Sequence, residues 1–278
     1  YKQSFHKCLT EKHQIATHIS YSMKANFNPS ILKLFLQMGS WSSLVNENEL
    51  RLALKCGFPG SNLIFNGNGK TLSEIELAVR AGAYLNIDSV FNLRHTIQVC
   101  SKLDAKHCLP AQLIIRVNQT VNVQVHSYLD TSYKNSKFGV ALSQLPTLIE
   151  LIKRNEHLVS LVGLHIHLGS TIKSIDVYEK SIESIVNLYK QVKEEVTSLR
   201  LINFGGGLGI DYERLANRTK SDDQQQQAST VRMPTPEDLA NAIAAHVKDL
   251  KDLTVIVEPG RSLIADSAIL ITKLIGMK

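Results

Sequence analysis

Four short stretches hold the residues whose side chains could do chemistry together. They are a lysine in "YSMKAN" (Lys24), two histidines in "GLHIHLGS" (His165 and His167), three glycines in "NFGGGLG" (Gly205, Gly206 and Gly207) and a carboxylate in "VEPGRS" (Glu258). Ile19, Tyr21 and Met23 alternate with His18, Ser20, Ser22 and Lys24, which is the period-2 pattern of a strand with one apolar face. Lys24 is therefore expected at the tip of that strand, pointing with the small polar residues. Glu258 lies between a Val-Ile-Val run and Pro259-Gly260, at the top of a buried strand with little water around it. A carboxylate there needs a cationic or protonated partner, or its pKa must rise. Three glycines directly after an apolar strand let the backbone turn tightly and aim several N–H groups at one point, a nest for phosphate; a plain tight loop is the competing reading. Arg261 and Ser170 can add a charge-assisted and a hydroxyl contact. His165 and His167 alternate with Ile166 and Leu168, so both imidazoles share one face. No acidic or cysteine ligand stands at a spacing that would make them a metal pair, and a satisfied interior histidine is the plainer reading of His165.

Positioning these groups falls to short apolar strands that alternate with longer amphipathic helices. Strand candidates lie near 18–24, 42–45, 62–66, 84–87, 111–118, 161–167, 200–204 and 253–258. Between them run patterns such as "TLSEIELAVRAG" and "SIDVYEKSIESIVNLYKQVKEEV", with apolar residues three and four apart and Thr, Ser or Asp at their starts. Asn28-Pro29 and Thr235-Pro236 read as helix starts, and Gly39 as a stop. Eight alternations favour a parallel (β/α)8 barrel of the TIM type over a doubly wound sheet, provided "SSLV" is a strand. In a barrel the C-terminal ends of all strands meet at one mouth, and the four stretches above fall at such ends. The phosphate nest then follows the seventh strand, where barrel phosphate sites concentrate. The polar segment 218–239 and the connection 119–137 are expected as long surface loops.

A chain of 278 residues with 44% hydrophobic content can bury a large core. The net charge of +6 suits anionic small molecules, while no basic run with interleaved aromatics points to nucleic acid. No stretch is long enough to span a membrane. Cys8, Cys56, Cys100 and Cys108 show no CxxC or zinc spacing and read as idle thiols in a reducing compartment, hence a cytoplasmic protein. The acceptor patterns at Asn118 and Asn217 read as chance matches without a secretory signal. Residue 1 is Tyr, and "AILITKLIGMK" reads as a strand running off the end, so a fragment of a longer protein is expected.

A phosphate nest, an isolated amine, a buried carboxylate and a flat imidazole together describe what pyridoxal 5′-phosphate needs: a lysine to form a Schiff base with the aldehyde, and an acid to keep the pyridine nitrogen protonated. "YSMKAN", "FNGNGKT", "NIDS", "HSYLDTSYKNSKFG", "GLHIHLGS", "FGGGLGI" and "EPGRSL" occur in the order and spacing of the alanine-racemase-fold decarboxylases. The chain resembles their diaminopimelate branch most, and the ornithine and arginine branches less. The resemblance implies a pyridoxal-phosphate barrel over residues 1–264, with 265–278 beginning a truncated C-terminal β domain. It implies that Lys24 is the Schiff-base lysine, that His167 stacks on the ring, that Glu258 pairs with the ring nitrogen, and that Ser170, Gly205, Gly206, Gly207 and Arg261 hold the phosphate. It also implies a homodimeric lyase that converts meso-diaminopimelate to L-lysine, with no metal. In relatives the missing domain supplies a cysteine motif to the neighbouring subunit's site, so residues 1–278 alone are expected to show negligible activity. A racemase is disfavoured, because racemases of this fold resemble a design with arginine facing the ring nitrogen. One departure stands out: where the family reads "DVVSGGEL" this chain has "SSLVNENEL", with Ser43 for the acid, so a catalytically impaired or regulatory homologue is the alternative.

Overall fold

The computed structural model describes residues 1–103, 110–118, 137–212, 232–267, 271–273 and 276. Nine strands are described: β1 Ala16–Ser22, β2 Trp41–Leu44, β3 Leu63–Phe65, β4 Tyr84–Ile87, β5 Ala111–Asn118, the two-residue β6 Val140–Ala141, β7 Val159–His165, β8 Leu201–Asn203 and β9 Thr254–Val257. All pairings are parallel, and they run β4-β3-β2-β1-β9-β8-β7-β5 with β4 returning to β5. That return decides between the two expected architectures: the eight longer strands form a closed barrel, and β6 only extends the end of β5. All eight expected strands are present, "SSLV" among them.

Local sequence explains the helices that separate the strands. Asn28 accepts the Ser30 N–H and opens helix Pro29–Gln37, which ends before Gly39 at φ +76°. Thr71 with Glu74, and Thr235 with Asp238, form reciprocal capping boxes at Leu72–Ala81 and Pro236–Val247. The apolar faces of these helices pack on the outside of the barrel, through Leu32, Ile75, Val79, Leu239 and Ile243 among others.

Inside the barrel two layers lie one above the other. The lower is apolar: Ile64, Ile114, Val162, Leu201 and Ile256 pack with Trp41 and Tyr84, and His18 stacks on Trp41 at 4.0 Å. The upper is polar and buried: Ser20, Ser43, Asn66, Asn86, His165, Asn203 and Glu258. The register slips by one residue between β5 and β7, Leu113 pairing with Leu161 but Ile114 with Gly163. Strict alternation from the inward Val162 would turn His165 outward; this bulge brings it inward instead.

Two expectations need correction or fall outside. Lys24 lies two residues past the strand, in the single 3₁₀ turn Met23–Ala25, because β1 ends at Ser22. The strand expected in "AILITKLIGMK" does not form over Ile271–Lys273, and Ile271 is 85% exposed; Ile269, Leu270 and Leu274 lie outside the described residues. Cys108, most of "HSYLDTSYKNSKFG", Asn217 and the polar segment up to residue 231 lie outside as well. Among the described residues no helix is long and apolar enough to cross a membrane.

Candidate active site

A cavity of about 1230 Å³ opens at the C-terminal ends of the strands. Lys24, Ser43, Asn66, Arg116, His165, His167, Ser170 and Glu258 all line it. Four of the expected residues thus share one chamber. Arg116 was not foreseen, although it stands two residues past the inward Ile114 in β5, on the same face by strand parity.

Glu258 sits at the floor. Its N–H is bonded to Gly205 O at 2.7 Å, which ties the end of β9 to the glycine turn. Its Oε1 accepts from Ser43 Oγ at 2.8 Å, Asn203 Nδ2 at 2.8 Å and Asn66 Nδ2 at 3.0 Å. Its Oε2 receives only the longer leg of Asn66, at 3.2 Å, and faces His165 Nε2 at 3.6 Å. Among the described residues its hydrogen-bond partners are neutral, two amides and a hydroxyl. Arg116 acts at Coulomb range, with Glu258 and Asp88 opposing the fall in its pKa that burial causes.

Burial, reinforced by the charges of Arg116 and Lys24, holds both imidazoles neutral: His165 far below the usual histidine range and His167 down to about 3. His167 is half-buried on the wall, its Nδ1 accepting the Gly206 N–H at 3.3 Å.

The three glycines are packed behind this wall rather than lining the cavity. Gly205 at φ +66° and Gly207 at φ +116° occupy conformations closed to most side chains. A Cβ on Gly205 would lie 2.5 Å from Ile166 O and 2.9 Å from His167 Nδ1; one on Gly206 would lie 2.2 Å from Glu258 O. Glycine is required here so that three strand ends can approach. Two of the amides expected to form a nest already have partners in the fold, Gly205 N–H on Asn203 Oδ1 and Gly206 N–H on His167 Nδ1. Gly205→Ala is expected to lower stability by roughly 2–3 kcal/mol from αL strain and the contact with Ile166. A thermal melt unchanged from wild type would contradict that packing. Arg261 opens the short helix Arg261–Ile264 and donates through Nε to Ser170 Oγ at 3.2 Å and through Nη1 to Tyr212 Oη at 2.6 Å. It stands beside Ser170 at the cavity's edge.

Two further residues of the quoted motifs build the frame. Lys70 is buried, and its Nζ donates to Gly67 O, to Asn86 O at 2.6 Å and to Asn92 Oδ1 at 3.4 Å. Burial pushes its pKa down to about 8, against the pull of Asp88. Asp88 is pushed up by the same burial. Cys8, Cys56 and Cys100 are buried free thiols away from the cavity. Among the described residues no cluster of three or more His, Cys, Asp or Glu could hold a metal.

The donor set fits pyridoxal phosphate. An exposed amine and a carboxylate with one oxygen left to accept line the same cavity as a flat neutral imidazole, and a serine-arginine pair at its edge can meet an anion.

Residues 2–265 match the family model described as the pyridoxal-binding domain of pyridoxal-dependent decarboxylases. The chain is 38% identical over 260 residues to a probable chloroplastic diaminopimelate decarboxylase of rice, a match covering 94% of this chain and 49% of the relative. It is 33% identical to the diaminopimelate decarboxylase of Aquifex aeolicus, over 94% of this chain and 57% of that one. In three dimensions it is similar to the crystal structure of a Helicobacter pylori diaminopimelate decarboxylase complexed with L-lysine, with a TM-score of 0.79 and 27% identity over 95% of this chain and 62% of that one. The chain therefore spans about half the length of the curated relatives it matches.

Proposed function

The chain belongs to the pyridoxal-dependent decarboxylases, and on that premise we propose that it carries the cofactor half of a carboxy-lyase acting on meso-diaminopimelate to give L-lysine. The single observation that carries this reading is the shared cavity, which places Lys24, His167 and Glu258 around one space with the acceptor Oε2 at its floor.

Bound pyridoxal phosphate supplies an electron sink for the pair left behind when an α-carboxylate departs as CO2. The chain's own residues do the rest. Lys24 would attach the cofactor through its exposed amine. Glu258, set among neutral donors, would hold a proton on the ring nitrogen, and that positive charge strengthens the sink. His167, its pKa held down to about 3 by burial and the neighbouring His165, would give the ring a flat wall without adding charge. Ser170 and Arg261, with the Gly205–Gly207 turn behind them, anchor the phosphate.

Ser43, the departure from the family's acid, is integrated into this arrangement. It donates to Glu258 and shares a 2.7 Å hydrogen bond with Ser20. That favours a working site over the impaired or regulatory alternative. We read the barrel as residues 1–264 and 265–278 as leading into a β domain that a second copy needs for a complete site; that the chain matches only 49% and 57% of two relatives is in keeping with this. The buried free thiols suit a reducing, cytoplasmic setting.

The test is CO2 release from meso-diaminopimelate, ornithine and arginine by the complete, assembled protein. Release should be fastest from diaminopimelate. A preference for ornithine or arginine would move the chain to another branch, and cofactor uptake without any release would support the regulatory homologue. Residues 1–278 alone are expected to take up cofactor while releasing little CO2. A rate matching the complete protein would show that the barrel needs no second half.

A further inference from the structure

Resting on the reading above, we infer that His165 is a positioning residue for Glu258, its imidazole fixed with Nε2–H facing Oε2 by a relay of two asparagines. The relay follows from hydrogen-bond polarity alone. A carboxylate accepts only, so the Asn66 atom at 3.0 Å and 3.2 Å from the two Glu258 oxygens must be the amide nitrogen. Asn66 Oδ1 is then left to accept, and the atom of Asn86 against it must in turn be nitrogen. That same Asn86 Nδ2 lies 2.6 Å from His165 Nδ1. With both its hydrogens committed as donors, Asn86 obliges Nδ1 to accept, so the single proton of the neutral ring is on Nε2.

Nε2 is fully buried and has no hydrogen-bond partner among the described residues. It lies 3.6 Å from Glu258 Oε2, the oxygen with room to accept; Asn86 Oδ1, the layer's other buried atom without a partner among the described residues, can only accept. Four strands contribute to the ring: Asn86 from β4, Asn66 just past β3, His165 from β7 and Glu258 just past β9. Every donor in it runs toward the carboxylate. The plainer reading, a histidine that only fills the barrel, leaves the polarity of the relay without consequence.

Two measurements test this. In the cofactor-free protein, nitrogen-15 NMR of the histidine rings should show His165 with a bare Nδ1 and a protonated Nε2; the opposite tautomer would overturn the inference. This experiment involves neither cofactor nor substrate, so it decides the matter even if the decarboxylase reading fails.

In the loaded protein, H165L removes the donor while keeping bulk, and H165Q returns an N–H near the Nε2 position. Glu258 also acts on Arg116 and His167, and His165 feels Arg116 and Lys24 and neighbours His167; none of these changes in either variant. H165L is expected to lower kcat about tenfold, through loss of the N–H dipole that faces the carboxylate at 3.6 Å, with KM little changed. The acid-side midpoint of the cofactor's visible absorbance should rise by about one pH unit, because a carboxylate that loses a donor is protonated more readily. H165Q should restore most of that midpoint. Coincident midpoints in wild type and H165L would overturn the inference, as would equal shifts in both variants. If H165L does not fold, H165Q and the wild-type tautomer carry the test.

Discussion

Lys24→Ala is expected to abolish covalent retention of pyridoxal phosphate and to lower decarboxylation about a thousandfold or more, while leaving the thermal melt within about 0.5 kcal/mol of wild type. The separation follows from where the residue sits. Lys24 is exposed in a single 3₁₀ turn at the cavity wall, so its side chain holds no part of the core. Borohydride reduction of the loaded protein followed by peptide mapping should place the pyridoxyl group on Lys24. The rival worth testing is Lys70, since a buried lysine with a pKa near 8 is the amine that chemistry alone would choose as nucleophile. Geometry argues the other way. Lys70 Nζ faces three acceptors, Gly67 O, Asn86 O and Asn92 Oδ1, and the residue does not line the cavity. Its amine supports the loop after β3 and is expected to stay unlabelled. A label on Lys70 or Lys137 would remove Lys24 from its role.

The barrel was legible in the sequence because each strand is a compact apolar run between capped helices. Each expected strand overlaps an observed one, and the period-2 reading of Ser20, Ser22 and Lys24 put the amine on the correct side. What sequence could not supply was tertiary. The bulge between β5 and β7 sets the parity of His165 and His167, and nothing in "LVGLHIHLGS" announces it; the shared face of the two imidazoles was read correctly, but their inward direction depends on that slip. Asn66, Asn86 and Asn203 lie within the quoted motifs, yet only when the barrel closes do Asn66 and Asn203 meet one carboxylate and Asn86 reach Asn66 and His165. The in-chain partners of Glu258 were not legible for the same reason. They are neutral donors distant in sequence, and pattern alone does not count them.

Glu258→Gln carries the second large effect, and the partners of Oε1 determine its direction. Ser43, Asn66 and Asn203 all donate to that oxygen. A glutamine at 258 would meet two amide donors if its own NH2 took the Oε1 position, so its carbonyl oxygen is driven there instead. The NH2 group is then left at the Oε2 position, at the cavity floor. The substitution therefore does more than remove a charge: it presents an N–H donor where the wild-type chain presents an acceptor. A ring nitrogen facing that donor cannot keep its proton, and the electron sink is weakened at its source. The expected loss in kcat is about 10²–10³-fold, comparable with removal of a preorganised electrostatic donor. Cofactor affinity should change far less, because Lys24, Ser170 and Arg261 are untouched. Glu258→Asp separates the two contributions. It keeps an accepting carboxylate but withdraws it by one methylene, so its kcat should lie between wild type and Glu258→Gln, with the cofactor spectrum closer to wild type. Turnover in Glu258→Gln equal to wild type would refute the role of Glu258. Equal losses in the two variants would show that placement of the side chain, and not the polarity at Oε2, is what the reaction requires.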